Sequence, residues 1–280
     1  MTMLLFDNHN HSQFSFDGKR TSVEASADAA MSLGLGGICF TDHCDFFVPP
    51  MKASFGESGP ETFDINAQQA EIDRVMASIQ AKGQQLKILK GIEIGMYESS
   101  HEEICRTLQE NTFDQVIASV HYIEGTDPFY GGYYEGKDWK EAYGHYLETI
   151  CREMTWLGDF DIMGHFDYVA RYAPYPQASI LYRDFSDILD EMLRYLAHEG
   201  KALEINTKSY KSHNGRVQIL DKDILLRYRE LGGEVISLGS DSHDAGRVGD
   251  GFAAHAAMLK SLGLRYLAHF EKRRLVQLPI

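Results

Sequence analysis

A parallel α/β sheet or barrel is the fold class this sequence predicts, from three observations. Apolar, β-rich runs recur with helical segments between them, the alternation expected of parallel strands joined by crossovers. The intervening segments carry end signals and helical periodicity. Histidines and carboxylates follow nearly every β run, at the edge where α/β barrels build their sites.

Taken in order, the β runs fall near residues 3–9, 37–42, 86–94, 115–121, 161–165, 202–206 and 234–241, seven in all. The helices fall at 23–33, 65–81, 101–109, 139–156, 185–199, 222–231 and 251–262. Thr21 or Ser22 is placed to cap the first of these and Gly34 to end it, and the second stops near Gly83. Segment 44–63 contains Pro49, Pro50, Gly56, Gly59 and Pro60 without a period and reads as a long loop; segment 124–136, rich in Gly and Tyr, reads as another. Long irregular loops in a compact domain are usually functional or mobile. No linker, repeat or low-complexity tract interrupts the pattern, so one domain over residues 1–280 is expected.

Of the 280 residues, 44% are hydrophobic and 24% charged, enough apolar material for a substantial core. No apolar run approaches the roughly 18 residues of a membrane span, and the start Met1-Thr2-Met3-Leu4-Leu5-Phe6 lacks the basic flank of a signal peptide. Cys39, Cys44, Cys105 and Cys151 have no paired spacing and read as reduced thiols, so a cytoplasmic location is expected. A net charge of −14 excludes a long nucleic acid as partner, since phosphate neutralisation needs a basic face. A small phosphorylated substrate remains compatible, because bound cations reverse the local field. The oligomeric state is left open.

The chemistry begins at Asp7-Asn8-His9-Asn10-His11, where residues two apart in an extended chain point the same way and carry both imidazoles off one strand end. The second run ends in Thr41-Asp42-His43, the third in Gly91-Ile92-Glu93, the fourth in His121, the fifth in His165 and the seventh in Asp241-Ser242-His243. The sixth ends in Glu204 and Asn206. A single histidine after a strand is more often a satisfied core residue. A whole ring of such groups at one edge would be costly without cations to pair them. Imidazoles and carboxylates without a cysteine motif suit zinc, manganese or iron(II), and their number implies two to three divalent ions.

These residues resemble the PHP (polymerase and histidinol phosphatase) superfamily of metallophosphoesterases. The resemblance rests on His9-x-His11, Thr41-Asp42-His43, Glu93 in Gly-Ile-Glu, the single His121 and His165, and Asp241-x-His243. Within the superfamily, His11-Ser12-x-Phe14-Ser15-x-Asp17-Gly18, Ser119-Val120-His121-Tyr122 and Gly164-His165-x-Asp167 look most like the monofunctional histidinol-phosphate phosphatases. The resemblance implies a distorted (β/α)7 TIM-like barrel and hydrolysis of a phosphomonoester, L-histidinol phosphate, in histidine biosynthesis. It places His9, His11, Glu93 and Asp241 on one ion, Glu93, His121 and His165 on a second, and Asp17, His43 and His243 on a third. Asp17 has a competing reading as an Asp-Gly turn.

The expected chemistry is in-line attack on phosphorus by a metal-bridging hydroxide, with protonation of the leaving oxygen by water, His243 or Asp42. Arg171 is expected to hold the phosphate, with Lys211 standing where this branch would carry an arginine; Arg216 and Arg247 are weaker candidates. His101, His145, His198, His213, His255 and His269 read as surface or packing residues, Cys44 as a buried spectator, and 130–134 as a packed loop or a substrate wall. Competing readings are a related phosphoesterase acting on a nucleotide, oligonucleotide or phosphotyrosine, an amidohydrolase or deaminase, and a noncatalytic metal-binding module.

Overall fold

The computed structural model describes residues 5–47 and 59–280. Met1, Thr2, Met3, Leu4, Pro49, Pro50 and Gly56, named above, lie outside the described residues. In chain order the elements are β1 (Phe6–Asn10), α1 (Val23–Ser32), β2 (Gly37–Phe40), β3 (His43–Cys44), α2 (Ile65–Ala81), β4 (Lys87–Gly95), α3 (His101–Glu110), β5 (Gln115–Ser119) and α4 (Trp139–Leu157). They continue as β6 (Ile162–Met163), α5 (Tyr168–Tyr172), α6 (Ser186–Glu199), β7 (Ala202–Asn206), β8 (Ser212–His213), β9 (Arg216–Val217), α7 (Lys222–Glu230), β10 (Ile236–Gly239), α8 (Phe252–Ser261), β11 (Tyr266–Glu271) and β12 (Arg274–Pro279).

Strands β1, β2, β4, β5, β6, β7 and β10 run side by side in that order, every pairing parallel. The seven expected strands are those seven, and the sheet is a TIM-like barrel. Its seam joins β1 to the end of β10 at the C-terminal edge: Asp241 N donates to His9 O at 2.9 Å and His11 N to Ser242 O at 2.9 Å. Closure therefore uses the very residues that carry the candidate ligands. Asp241 sits in the left-handed region (φ 50°), a conformation uncommon for a residue with a Cβ and held here by both neighbours of the seam.

The helices form where their end chemistry satisfies the free backbone N–H groups. Ser22 caps α1 by accepting from Ala25 N; Asp138 and Glu141 make a reciprocal capping box on α4; Gly200, at φ 64°, closes α6. Helix α4 buries Tyr143, Tyr146, Leu147, Ile150 and Met154 against the barrel. At about 1.5–3 kcal/mol per large apolar side chain removed from water, that face is ample to hold the helix in place.

The short strand β3 and the β8–β9 hairpin were not expected, and two further features depart from the sequence reading. Short helix α5 follows the fifth strand, where no element was expected. The chain also ends in an antiparallel hairpin, β11 with β12, beyond the last expected helix. Phe6 stacks on His269 at 3.9 Å, and Asn8 Nδ2 donates to Ala268 O, so the hairpin abuts the start of the barrel, opposite the ligand edge.

Candidate metal centre and substrate cleft

Glu93, fully buried near the end of β4, is the hub of the site. Its Oε1 lies 2.9 Å from His165 Nε2 and 3.1 Å from His121 Nε2. Its Oε2 lies 2.9 Å from His43 Nδ1, 3.2 Å from His9 Nε2 and 3.5 Å from His11 Nε2. Five imidazoles from three strand ends and one short strand thus face one carboxylate. Asp241 Oδ1 reaches His11 Nε2 at 3.5 Å, and Asp17 Oδ2 lies 2.7 Å from His243 Nε2 and 3.7 Å from His43 Nε2.

A second layer orients the rings. His9 Nδ1 is 2.7 Å from Glu204 Oε1, His121 Nδ1 is 3.0 Å from Asp45 Oδ1, and His243 Nδ1 is 3.0 Å from the Asp241 carbonyl. An acceptor on Nδ1 leaves the Nε2 lone pair of each ring aimed at the centre, the arrangement in which histidine binds metal. Glu204 Oε2 also accepts from His165 N, so one side chain on β7 steadies two strand ends. Gly239 makes room for it: a Cβ there would fall 2.2 Å from Glu204 Oε1. Gly18 has the same necessity, since a Cβ would fall 1.7 Å from Ser12 O; the Asp17-Gly18 turn therefore both bends the chain and delivers the Asp17 carboxylate.

Electrostatics inside the cluster is polarised. Burial would raise the pKa of Glu93, but His9, His121 and His43 around it hold the carboxyl well below the usual range. Burial lowers the basicity of His9 and His121, and their carboxylate neighbours outweigh it, so both are raised well above the ordinary imidazole value. His11 goes the other way, lowered by burial and by His243 and His43 beside it. Burial also opposes ionisation of Asp241, yet Lys208 and His11 draw it well below the carboxylate range.

Divalent ions fit this set of donors. His9 Nε2, His11 Nε2, His43 Nδ1 and Glu93 Oε2 are buried without an aligned hydrogen bond, although each has a neighbour within ion-pair range. Buried polar atoms left so are expected only where something else completes them. Four overlapping groups have donor atoms within 4.8 Å of one another: His11, Asp17, His43 and His243; His9, His11 and Asp241; His9, Glu93 and His165; His43, Glu93 and His121. Glu93, His9, His11 and His43 each belong to two of these groups, which suits two to three ions sharing ligands.

Above the centre lies a cleft of about 380 Å³, whose wall includes Phe16, Asp127, Phe129, Tyr130, Tyr168 and Tyr172. Arg171, buried on α5, donates to Asp241 Oδ2 and Asn206 Oδ1 at 3.2 Å each and to Ser209 Oγ at 2.9 Å, and faces the same space. Lys208 Nζ lies 3.0 Å from Asp241 Oδ1 and 3.3 Å from His243 Nδ1. Lys211, expected in that position, instead pairs with Asp250 at 2.8 Å on the outer rim. The 3-10 turn over Thr207–Tyr210 that follows β7 makes the exchange: it sets Lys208 Nζ beside Asp241 and His243, while Lys211, past the turn, reaches Asp250.

Asp42 is the other correction. It is fully buried with its carboxylate taken by Ser12 N at 2.6 Å, Ser12 Oγ at 2.7 Å and Gln68 Nε2 at 2.8 Å, so it ties the His11 loop to α2 and does not face the cleft. Among the weaker candidates, Arg216 is spent on the carbonyls of Ala173, Pro174 and Tyr175, and Arg247 lies at the rim. Cys44 is buried, and burial pushes its thiol up, away from reactivity. Of the tyrosine loop, Tyr133 and Tyr134 pack inward while Tyr130 lines the cleft. His213, expected to be a surface or packing residue, stands in the cleft wall, edge-on to Tyr172 at 4.8 Å.

A parallel barrel that gathers imidazoles and carboxylates at its strand ends, with buried cations above them, defines a metal-dependent hydrolase. The PHP domain family profile matches residues 7–208. The chain is 36% identical over 271 residues to the histidinol-phosphatase of Lactococcus lactis subsp. lactis (strain IL1403), covering 96% of this chain and 95% of that protein. It is 31% identical over 270 residues to a probable histidinol-phosphatase of Clostridium acetobutylicum, covering 96% and 98%. The chain belongs to the PHP superfamily and, within it, to the histidinol-phosphatase family of phosphoric monoester hydrolases. Its fold matches the crystal structure of histidinol phosphate phosphatase from Lactococcus lactis subsp. lactis complexed with zinc, L-histidinol and phosphate, at TM-score 0.85, 32% identity and 97% and 98% coverage. It also matches the fold of a putative histidinol phosphatase from Listeria monocytogenes, at TM-score 0.71, 20% identity and 89% and 99% coverage.

Proposed function

We propose that this chain hydrolyses L-histidinol phosphate to L-histidinol and phosphate, with His9, His11, Asp17, His43, Glu93, His121, His165, Asp241 and His243 as metal ligands. The observation that carries the reading is the convergence of five imidazoles on the two oxygens of Glu93, directly beneath a cleft that holds Arg171 and Lys208. Divalent ions bound there supply Lewis acidity at the phosphoryl oxygens and a water of lowered pKa. The protein's part is positional. Glu93 presents one oxygen to His121 and His165 and the other to His9, His11 and His43, which supports its assignment as the shared ligand.

Arg171 holds its guanidinium in place through Asn206, Ser209 and Asp241, ready to donate to a phosphoryl oxygen, and Lys208 adds a point charge beside it. Of the acids considered for the leaving oxygen, Asp42 is enclosed and His243 is read here as a metal ligand, so we infer that water in the cleft supplies the proton. Four free cysteines suit a reducing compartment, and we place the enzyme in the cytoplasm. Among the described residues no helix is long and apolar enough to cross a membrane.

The test compares phosphate release by the metal-loaded protein from L-histidinol phosphate, mononucleotides, phosphotyrosine and p-nitrophenyl phosphate. L-Histidinol phosphate is expected to show a kcat/KM at least about tenfold above the others, equivalent to about 1.4 kcal/mol of selective transition-state binding. A higher kcat/KM for any competitor rejects this substrate.

A further inference from the structure

The cleft is chemically two-sided. Toward Lys208 and Arg171 it is cationic and suited to a phosphoryl group. Beside them it is walled by Phe129, Tyr168 and Tyr172, with the Arg171 guanidinium 5.3 and 5.9 Å from the centres of the two tyrosine rings; the rings meet edge to face, Phe129 and Tyr172 at 5.1 Å and 85°, Tyr168 and Tyr172 at 5.1 Å and 73°. Asp127 lies in this aromatic wall.

Its carboxylate is held by one oxygen only. Asp127 Oδ1 accepts from Phe129 N at 2.8 Å and from Tyr168 Oη at 2.9 Å, while among the described residues no donor is placed on Oδ2. Tyr168 in turn packs against His165 at 5.1 Å and His121 at 5.8 Å, so a single tyrosine separates this carboxylate from the metal centre. A largely enclosed carboxylate with a free oxygen, set in a wall of aromatic side chains, is an arrangement that binds an organic cation: the oxygen accepts its N–H while the side chains pack against its carbon frame.

We infer that Asp127, with the walls of Phe129, Tyr168 and Tyr172, is the specificity-determining element that receives the cationic end of the substrate's organic half. The inference rests on the reading that the cleft hydrolyses a phosphomonoester. It further commits the enzyme to esters whose alcohol carries an ammonium or a protonated ring nitrogen, and disfavours esters with an anionic or uncharged alcohol. Burial raises the pKa of Asp127, so the carboxylate gains most from a partner that restores its charge.

Asp127→Asn tests it with little threat to the fold, because the amide oxygen still accepts from Phe129 N and Tyr168 Oη. The variant and the wild type, matched for bound metal by elemental analysis, are compared on L-histidinol phosphate, on 2-aminoethyl phosphate and on uncharged ethyl phosphate, and for inhibition by the two products separately. For both cationic esters kcat/KM is expected to fall about 10- to 100-fold, the range for a charge-assisted hydrogen bond; for ethyl phosphate it should stay within about threefold. The inhibition constant of L-histidinol should rise by a similar factor and that of inorganic phosphate should not move. Equal losses on charged and uncharged esters, or a rise in the phosphate constant, would show a structural role and overturn the inference; so would unchanged selectivity. A wild type that prefers 2-aminoethyl phosphate to L-histidinol phosphate would reject the proposed substrate while leaving the role of Asp127 intact.

Discussion

At the scale of single residues, the lysine that matters is decided by the 3-10 turn after β7. Lys208, within the turn, ends beside Asp241 and His243, while Lys211, past it, reaches out to Asp250. Lys208→Ala should therefore lower kcat/KM by about 10- to 100-fold, as expected when a charged donor to a phosphoryl group is lost. Lys211→Ala, which removes only a rim ion pair worth about 0–1 kcal/mol, should change it by less than about threefold. Steady-state kinetics on the two variants checks this, and the reverse ranking would return the phosphate contact to Lys211. The two lysines were not separable in the sequence, because the 3-10 turn breaks the strand alternation before Lys208. Asp45 was missed because it lies just past the short strand β3 and buttresses His121, a pairing no local motif announces.

At the scale of elements, the barrel strands were legible because their ends carry chemistry as well as apolar runs, whereas the closing hairpin carries neither signal. Its turn, Lys272-Arg273, adopts positive φ at both positions (50° and 64°) without the Asn-Gly or Asp-Gly that normally marks such turns. What holds it is tertiary: Arg273 Nε donates to Asp161, Arg273 N to Asp114 O, and Lys272 N to Asp114 Oδ1. Helix docking has a similar long-range anchor. Asp190 on α6 accepts from Arg227 of α7, from Arg194 and from Tyr182, and the Arg227 hydrogen bonds above all draw its pKa down to about 2. A carboxylate depressed in the folded state adds stability that is complete above its unfolded pKa near 4 and is lost as pH falls through about 2. Asp190→Asn should accordingly unfold at a lower temperature than wild type at pH 7, by an amount on the order of 1 kcal/mol. The gap should narrow between pH 4 and pH 2. A gap that is constant across that range in thermal melts would show that the carboxylate's charge is not what joins the two helices.

At the scale of the whole molecule, the centre and the barrel are one structure. The seam between β1 and β10 is made by His9, His11, Asp241 and Ser242, so residues read as ligands also complete the sheet. Glu93 and four of its five histidine neighbours are almost entirely withdrawn from water, and His43 nearly so. Without cations, that much buried polarity is satisfied only by protons shared among coupled groups, at a cost that metal binding removes. Stability should then depend on loading: ions at a thousandfold excess over their Kd add about 4 kcal/mol. At about 2–4 °C per kcal/mol for a chain of this size, chelation should lower the unfolding temperature by on the order of 10 °C. Glu93→Gln keeps the shape of the hub and removes its charge, so it should bind less metal and show little further loss on chelation. Calorimetric melts of both proteins, before and after treatment with chelator, measure this directly. A wild type whose melting temperature ignores chelation, or a Glu93→Gln protein that retains full metal content, would separate the barrel's closure from its metal centre and remove Glu93 from its place as shared ligand.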